Sequence, residues 1–441
     1  DNVVLKLRSV GFYAANTNGE DLLRIMNKYD PSNKAVSNIR TEITGIEHIQ
    51  YYCKHNRIPE HKGSVKFQKK FNLKENGKNF HPYTNSDFNF RVSFQIEDNI
   101  YNNSAIVNTL LEKWEQMPKS FRYMNRIEYR HAKLPFVCHL SIVKSSHKLR
   151  DGSYTYEKNI KNVDLFNQRE HYEIEIEALN DLVALENYTT ETLMSEMKKM
   201  IKYILCGLQN TNYPVAYGQL DNVMKEYLEL VGNEKEIYRV NPRDFLGPST
   251  ITLQRVNIQN TNEEKEMTLV PNIRTNYSVT EKADGERRLL YISGTGEVYM
   301  IDTNMTIAYT GVKTTKKNIV HTLLDGELIV HDKYGGYLNL FACFDVYFIN
   351  KQDRRALPLV HQQNALDNVS KDSKTDKEKG KAEIGRLQLA ERVINVLRKD
   401  IVSQTSRIQF DISMKQFYYG KNIFTECKKI LSKEDDGLFQ Y

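Results

Sequence analysis

Hydrophobic and polar positions alternate with a period of two through much of the first half of the chain. From residue 38 to about 180, the segments NIRTEITG, SVKFQKKF, NFRVSFQIE, NRIEYRHA and HYEIEIEAL each set apolar side chains against charged ones, which predicts an antiparallel sheet with two chemically distinct faces. Ahead of them DNVVLKLRSVGF reads as a helix, with Asp1 as N-cap, Val3, Val4 and Leu7 on one side, and Gly11 at its end. A helical period returns in TLMSEMKKMIKYILCGL, followed by a mixed stretch through NPRDFLGPSTITLQRVNI. Strands are predicted again from 277 to about 348, in YSVTEK, RRLLYIS, EVYMID, LLDGELIVH and LNLFACFDVYF. A helix in IGRLQLAERVINVLRKD and a strand in SRIQFDISMKQF follow. VSKDSKTDKEKGKAE lacks any apolar period and reads as a surface loop or disordered insertion over about 366–383.

Composition limits the classes. The chain has 441 residues, 40% hydrophobic and 27% charged, enough for two or three domains with their own cores. It has neither an apolar run long enough for a bilayer nor a secretory-signal pattern, so no membrane partner is expected. Five scattered cysteines without a CxxC pair support neither a disulfide framework nor a structural zinc site. A net charge of +6 is compatible with nucleic acid without demanding it.

Two segments carry chemistry. In TEKADGERRLL, Lys282 ends a strand and is followed by a turn and a cationic pair, Arg287 and Arg288. A lysine amine is a nucleophile only when neutral, and burial beside other cations favours that form. Asp284 would orient the amine or a ribose hydroxyl, Gly285 would allow close backbone approach to a nucleotide, and the arginines would hold phosphate or sugar oxygens. The competing reading is a hairpin with a solvated turn. In HYEIEIEAL, alternation puts Glu173, Glu175 and Glu177 on one face, about 6.6 Å apart along the strand. A strand with glutamates facing water is the commoner case. Yet the polar faces of neighbouring segments carry Arg40, Glu42, Lys66, Lys70, Arg91, Arg126, Glu128 and Arg130, and a closed barrel with those faces inward would be a charged tunnel.

Two further pieces follow TEKADGERRLL in order: LLDGELIV, with Asp325 and Glu327, and DDGLFQY, with Asp436. Together they resemble motifs I, III and IV of the covalent nucleotidyltransferases, the superfamily of mRNA capping guanylyltransferases and polynucleotide ligases. NLFACFDVYFIN resembles the intervening motif whose aromatic residue stacks on the base, here Phe344, with a core role as the alternative. The resemblance covers roughly 270–441. It implies Lys282 as the nucleophile that carries a nucleotide as a lysyl phosphoramidate, nucleotide contacts from Asp284, Arg287, Glu327, Phe344 and Asp436, GTP as substrate, and Mg²⁺ or Mn²⁺ as the metal.

The charged strands resemble the triphosphate tunnel metalloenzymes, specifically the RNA triphosphatases fused to guanylyltransferases in large DNA viruses. This implies a metal site of Glu173, Glu175 and Glu177, with Glu175 catalytic, and phosphate contacts from Arg40, Lys66, Arg91, Arg126, Arg130 and Lys144. Lys144 matches a basic tunnel position by motif, but its parity follows Leu140 and Ile142. The family's second pair of strand glutamates has no counterpart near the N-terminus and is expected upstream of Asp1; a decayed triphosphatase is the rival.

The expected fold class is thus α+β: an antiparallel β-barrel tunnel domain over 1–210, a connecting segment over 211–270, and a ligase-like nucleotidyltransferase domain of antiparallel sheets and helices over 271–441. An OB-fold lid and paired lysines after DGLFQY are not present in the sequence. The expected partners are nascent mRNA 5′ ends, GTP, a cap methyltransferase domain or subunit and RNA polymerase, in host cytoplasm, a viral factory or a virion. An ATP-dependent RNA or DNA ligase and a noncatalytic RNA-binding scaffold are the alternatives.

Overall fold

A computed structural model describes residues 1–29, 37–60, 63–179, 188–259, 271–274, 276–360, 384–404, 410–420 and 422–435. The expected insertion at 366–383 and Asp436 lie outside the described residues. The chain divides into two compact units, Asp1–Leu208 and Gln209–Tyr441.

The first unit is built on one antiparallel sheet of β1 (Tyr13–Ala14), β2 (Glu20–Asn27), β3 (Ile39–Thr44), β4 (Val65–Asn72), β9 (Gln95–Ile100), β10 (Lys119–Arg130), β11 (Phe136–Ser145) and β12 (His171–Ala178). Their order is β12-β11-β10-β2-β3-β4-β9, with β1 on β10. Between β4 and β9 stand two small hairpins, β5 (Lys74–Glu75) with β6 (Lys78–Asn79), and β7 (Tyr83–Asn85) with β8 (Phe90–Val92). The sheet's apolar face packs Leu23, Ile25, Ile39, Ile43 and Phe67 against Ile49 and Tyr52 of the helix Ile46–His55 and against Val107 and Leu110 of the helix Ala105–Glu112. Farther along, Tyr129 and Cys138 pack with Leu7 of the first helix, Asn2–Ser9, and with Met200 and Ile204 of Thr190–Leu208. Asp1 occupies the N-cap position of the first helix, but its side chain makes no capping bond.

The opposite face is polar, and the cross-strand register brings the expected rows together. Arg126, Ser141 and Glu173 stand side by side, as do Glu128, His139 and Glu175. The expected closed barrel is not formed by hydrogen-bonded ladders: among the described residues β12 does not pair with β9. Both edges are rich in carboxylates, Glu173, Glu175 and Glu177 on one and Glu97 and Asp98 on the other, and like charges directly opposite oppose pairing. The sheet instead curls, so that Glu175 from β12 and Lys70 from β4 line the same cleft.

The second unit carries a mixed sheet of β14 (Glu286–Ile292), β15 (Glu297–Asp302), β16 (Ile307–Lys313), β17 (Thr322–His331), β18 (Tyr337–Ile349) and β19 (Gln352–Asp353), in the order β16-β15-β14-β17-β18-β19; β20 (Asp411–Met414) runs parallel to β18. A separate pair joins β13 (Ser278–Thr280) to β21 (Phe417–Tyr419). The main sheet is covered on both faces, which explains the unbroken apolar run of RRLLYIS. Leu290 and Ile292 meet Ala390, Val393, Ile394 and Leu397 of the helix Arg386–Gln404, while Leu289 and Tyr291 meet Val223, Met224, Tyr227 and Leu228 of Tyr217–Val231.

Phe341 is fully buried in this core, and its ring lies where a Cβ on Gly326 would come within 2.5 Å. Phe341→Ala is expected to cost about 3–5 kcal/mol in urea unfolding of the second unit. Tyr334→Ala, at a side chain 84% exposed, is expected to stay within about 0.5 kcal/mol of wild type.

Candidate functional sites

In the second unit, the segment after β13 is pinned by buried Ala283, which packs on Ile329 and Ala342. Lys282 and Asp284 flank it and are both exposed. Gly285 makes the close fit possible, since a Cβ there would lie 2.8 Å from the carbonyl oxygen of Leu328. Its observed close neighbour is therefore β17. The expectation that Lys282 is buried beside Arg287 and Arg288 is corrected. Successive residues of β14 point to opposite faces, so the two arginines cannot flank one amine. Arg288 pairs with Glu286 and, at 3.3 Å, with Asp302.

Arg287 reaches Asp325 on β17 through two hydrogen bonds, Nη2 to Oδ2 at 2.7 Å and Nε to Oδ1 at 3.2 Å, and donates to the Pro248 carbonyl at 2.8 Å. Tyr347 donates its hydroxyl to Asp325 at 2.5 Å. Burial pushes the Asp325 carboxyl above the usual carboxylate range, against the pull of Arg287 and Tyr347, while hydrogen bonding to Asp325 pushes the Arg287 guanidinium up. Asp325 is thus a buried anchor that aims a partly exposed arginine.

Phe344 sits at a β-bulge. Asp325 pairs with Asp345 and Gly326 with Cys343, leaving Phe344 without an opposite residue. Its half-buried ring has the Arg287 guanidinium 6.0 Å and the Lys415 ammonium 5.8 Å from its centroid, so two cations flank it. Lys415, which sequence reasoning missed, is nearly buried and lies 3.4 Å from Glu327. The β13–β21 ladder ends with Thr280 opposite Phe417, and the Thr280 hydroxyl donates to the Gln416 carbonyl at 2.7 Å, so Lys282 and Lys415 each lie just beyond that ladder. The structure thus gathers Arg287, Glu327 and Phe344 with Lys415, and leaves Lys282 exposed in the segment that follows β13.

In the first unit, Arg24, Arg40, Lys70, Arg122 and Glu175 line an open cleft of about 220 Å³. Charge pairs along the same sheet face hold several of these residues: Arg24 with Glu42 at 2.6 Å, Arg40 with Glu97 at 2.8 Å, Arg126 with Glu175 at 2.6 Å, and Arg122 with Glu173. Burial pushes the Arg40 guanidinium down, helped by neighbouring Arg24, while Glu97 and Glu42 oppose that shift. Lys66 lies on the polar face at an exposed position, and Arg130 pairs with Glu128 on its own strand. Two expected phosphate contacts are corrected. Arg91 belongs to the small β7–β8 hairpin, because NFRVSFQIE breaks before β9. Lys144 has the parity of the opposite face, where it donates to the Phe166 carbonyl at 2.7 Å and pairs with Glu170 at 3.4 Å.

The expected three-glutamate metal site is also rearranged. Arg122 holds Glu173, and the atoms that come within 4.8 Å of one another belong to His139, Glu175 and Glu177. That donor set fits a divalent cation. His139 was legible only through cross-strand register.

The family described as mRNA capping enzyme, catalytic domain, matches residues 219–440, and the chain belongs to that family. The chain is also 29% identical over 185 residues to the probable mRNA-capping enzyme of Acanthamoeba polyphaga mimivirus, an alignment covering 42% of this chain and 13% of that protein. No helix among the described residues is long and apolar enough to cross a membrane.

A double-mutant cycle checks the anchor. Asp325→Asn and Arg287→Gln are expected to couple by about 1–3 kcal/mol in unfolding free energy. The pair of Arg398 with Asp411, both about half exposed, is expected to couple by less than about 1 kcal/mol.

Proposed function

We propose that the second unit is a GTP:RNA guanylyltransferase. The observation that carries this is the bulged Phe344 ring with the Arg287 and Lys415 cations near it, Glu327 beside Lys415, and Lys282 in the segment that follows β13. A guanine base stacks on Phe344. The Lys415 ammonium donates toward its acceptor edge, where guanine offers O6 and N7 while adenine offers an amino group. Glu327 accepts from the ribose, Arg287 holds phosphate oxygens, and Asp284 and Asp436 contribute further nucleotide contacts. The neutral amine of Lys282 attacks the α-phosphorus; an N–P bond forms, the α–β P–O bond breaks, and pyrophosphate leaves. A β-phosphate oxygen of diphosphate-ended RNA then displaces the lysine, breaking the N–P bond. Mg²⁺ or Mn²⁺ accompanying the triphosphate offsets the leaving group's charge.

The first unit, in the same reading, is an RNA 5′-triphosphatase. Its charge-lined cleft supports this, with Arg24, Arg40, Lys70 and Arg122 for a polyphosphate. Glu175 orients the water that attacks the γ-phosphorus, the β–γ bond breaks, and inorganic phosphate leaves a diphosphate end. The product of one unit is the acceptor of the other. Nascent transcripts, RNA polymerase and a cap methyltransferase are the partners this sequence of steps calls for, in a viral factory or virion.

Incubation with α-labelled GTP and Mg²⁺ is expected to give an acid-labile labelled protein that Lys282→Ala abolishes without loss of fold. Arg at 282 is expected not to restore it, since guanidinium stays protonated. Labelling by ATP alone would instead identify a ligase, and wild-type labelling of Lys282→Ala would remove the nucleophile assignment.

Glu175→Ala is expected to lower metal-dependent γ-phosphate release from triphosphate-ended RNA by at least about 100-fold. Label at Lys282 should be unchanged. Full phosphatase activity in Glu175→Ala would end the triphosphatase reading.

A further inference from the structure

His139 is set in a way that its neighbours do not explain. It lies on β11 directly opposite both Glu128 and Glu175, and it is only 6% exposed. Its Nε2 is 3.3 Å from a Glu128 carboxylate oxygen, within reach of a hydrogen bond. Its Nδ1 is buried without a hydrogen-bond partner, and the nearest Glu177 oxygen stands 3.6 Å away. If Nε2–H donates to Glu128, a bare Nδ1 lone pair points at carboxylates, an arrangement that is repulsive unless a proton on Nδ1 or a metal ion lies between them. A ring nitrogen oriented by a carboxylate on its far side is how proteins commonly present imidazole to a metal.

The surrounding charge agrees. Glu128, Glu175 and Glu177 bring three carboxylates to His139, and the adjacent guanidiniums are those of Arg126 on Glu175 and Arg130 on Glu128. Glu173 is occupied by Arg122. One negative charge is left over if all three carboxylates are ionised.

We propose that His139 Nδ1 ligates a divalent transition metal together with Glu175 and Glu177, with Glu128 fixing the imidazole. Such a mixed nitrogen–oxygen set favours Mn²⁺, Co²⁺ or Zn²⁺ over Mg²⁺, which an all-carboxylate row would accept more readily. The inference refines the metal site of the first unit and is tested without substrate, so it stands apart from the triphosphatase reading.

Mn²⁺ added to the whole chain is measured by calorimetry and by pulsed electron paramagnetic resonance. One Mn²⁺ per chain is expected, bound at least about tenfold more tightly than Mg²⁺, with ¹⁴N modulation from a coordinated imidazole. His139→Gln should remove the ¹⁴N modulation and weaken binding about 10–100-fold, while Glu128→Gln should weaken binding and retain the modulation. Stoichiometric Mn²⁺ without ¹⁴N coupling in the wild type, or no binding below millimolar Mn²⁺, would overturn the proposal, and neither result requires a variant to fold. Imidazole-bound Mn²⁺ in a protein that releases no γ-phosphate would support this site and count against the triphosphatase instead.

Discussion

A sheet face that carries rows of like charge must supply counter-charges on strands within reach, and the first unit is organised around that requirement. Alternation puts carboxylates at every second position of β12, and β10, two strands away, answers with arginines at every fourth position, Arg122 to Glu173 and Arg126 to Glu175. Arg24 with Glu42 and Arg40 with Glu97 continue the pattern on the other side. Each partly buried pair costs desolvation that its attraction must offset, so the face gains a fixed register more than stability. A register slip by one residue would move every charge into the apolar core behind the sheet. The second unit meets the same requirement at one point, where Asp325 is fully buried and balanced by Arg287 and the Tyr347 hydroxyl.

Much of this was legible in the chain because period two is a strong pattern where one face is wet. EIEIE fell where expected, as did β14, β15, β17 and β18. β2 did not, because Leu22 and Leu23 are both buried, one on each face, and the apolar–polar alternation disappears. That strand puts Glu20 and Arg24 in the centre of the polar face rather than at an edge. The helix Tyr217–Val231 has apolar residues at helical spacing but begins after Ala216, which offers no capping side chain, so no start was evident. Lys282, Phe344 and Glu327 could be named from motif order. Lys415 could not: its relation to Phe344 comes from β20 lying parallel to β18, a pairing between segments about 70 residues apart. His139 was hidden for a similar reason, since register across three strands is absent from any single strand's pattern.

At Arg287 the structure replaces the expected reason for its place with another. Arg287 was expected to depress a neighbouring amine. It is instead committed to Asp325 and held between the rings of Phe245 and Phe344, 5.4 and 6.0 Å away. Pinned on one side by Asp325, its guanidinium keeps few orientations.

The bulge at Phe344 separates two demands that a regular strand would force together. β18 is buried on both faces, so any ordinary position on it belongs to one core or the other. One extra residue creates a position owed to neither. A side chain there can be exchanged with little penalty to the packing on either side, and the cation beside it comes from a different stretch of chain. The identity of that side chain is therefore set apart from the packing that fixes the scaffold beneath it.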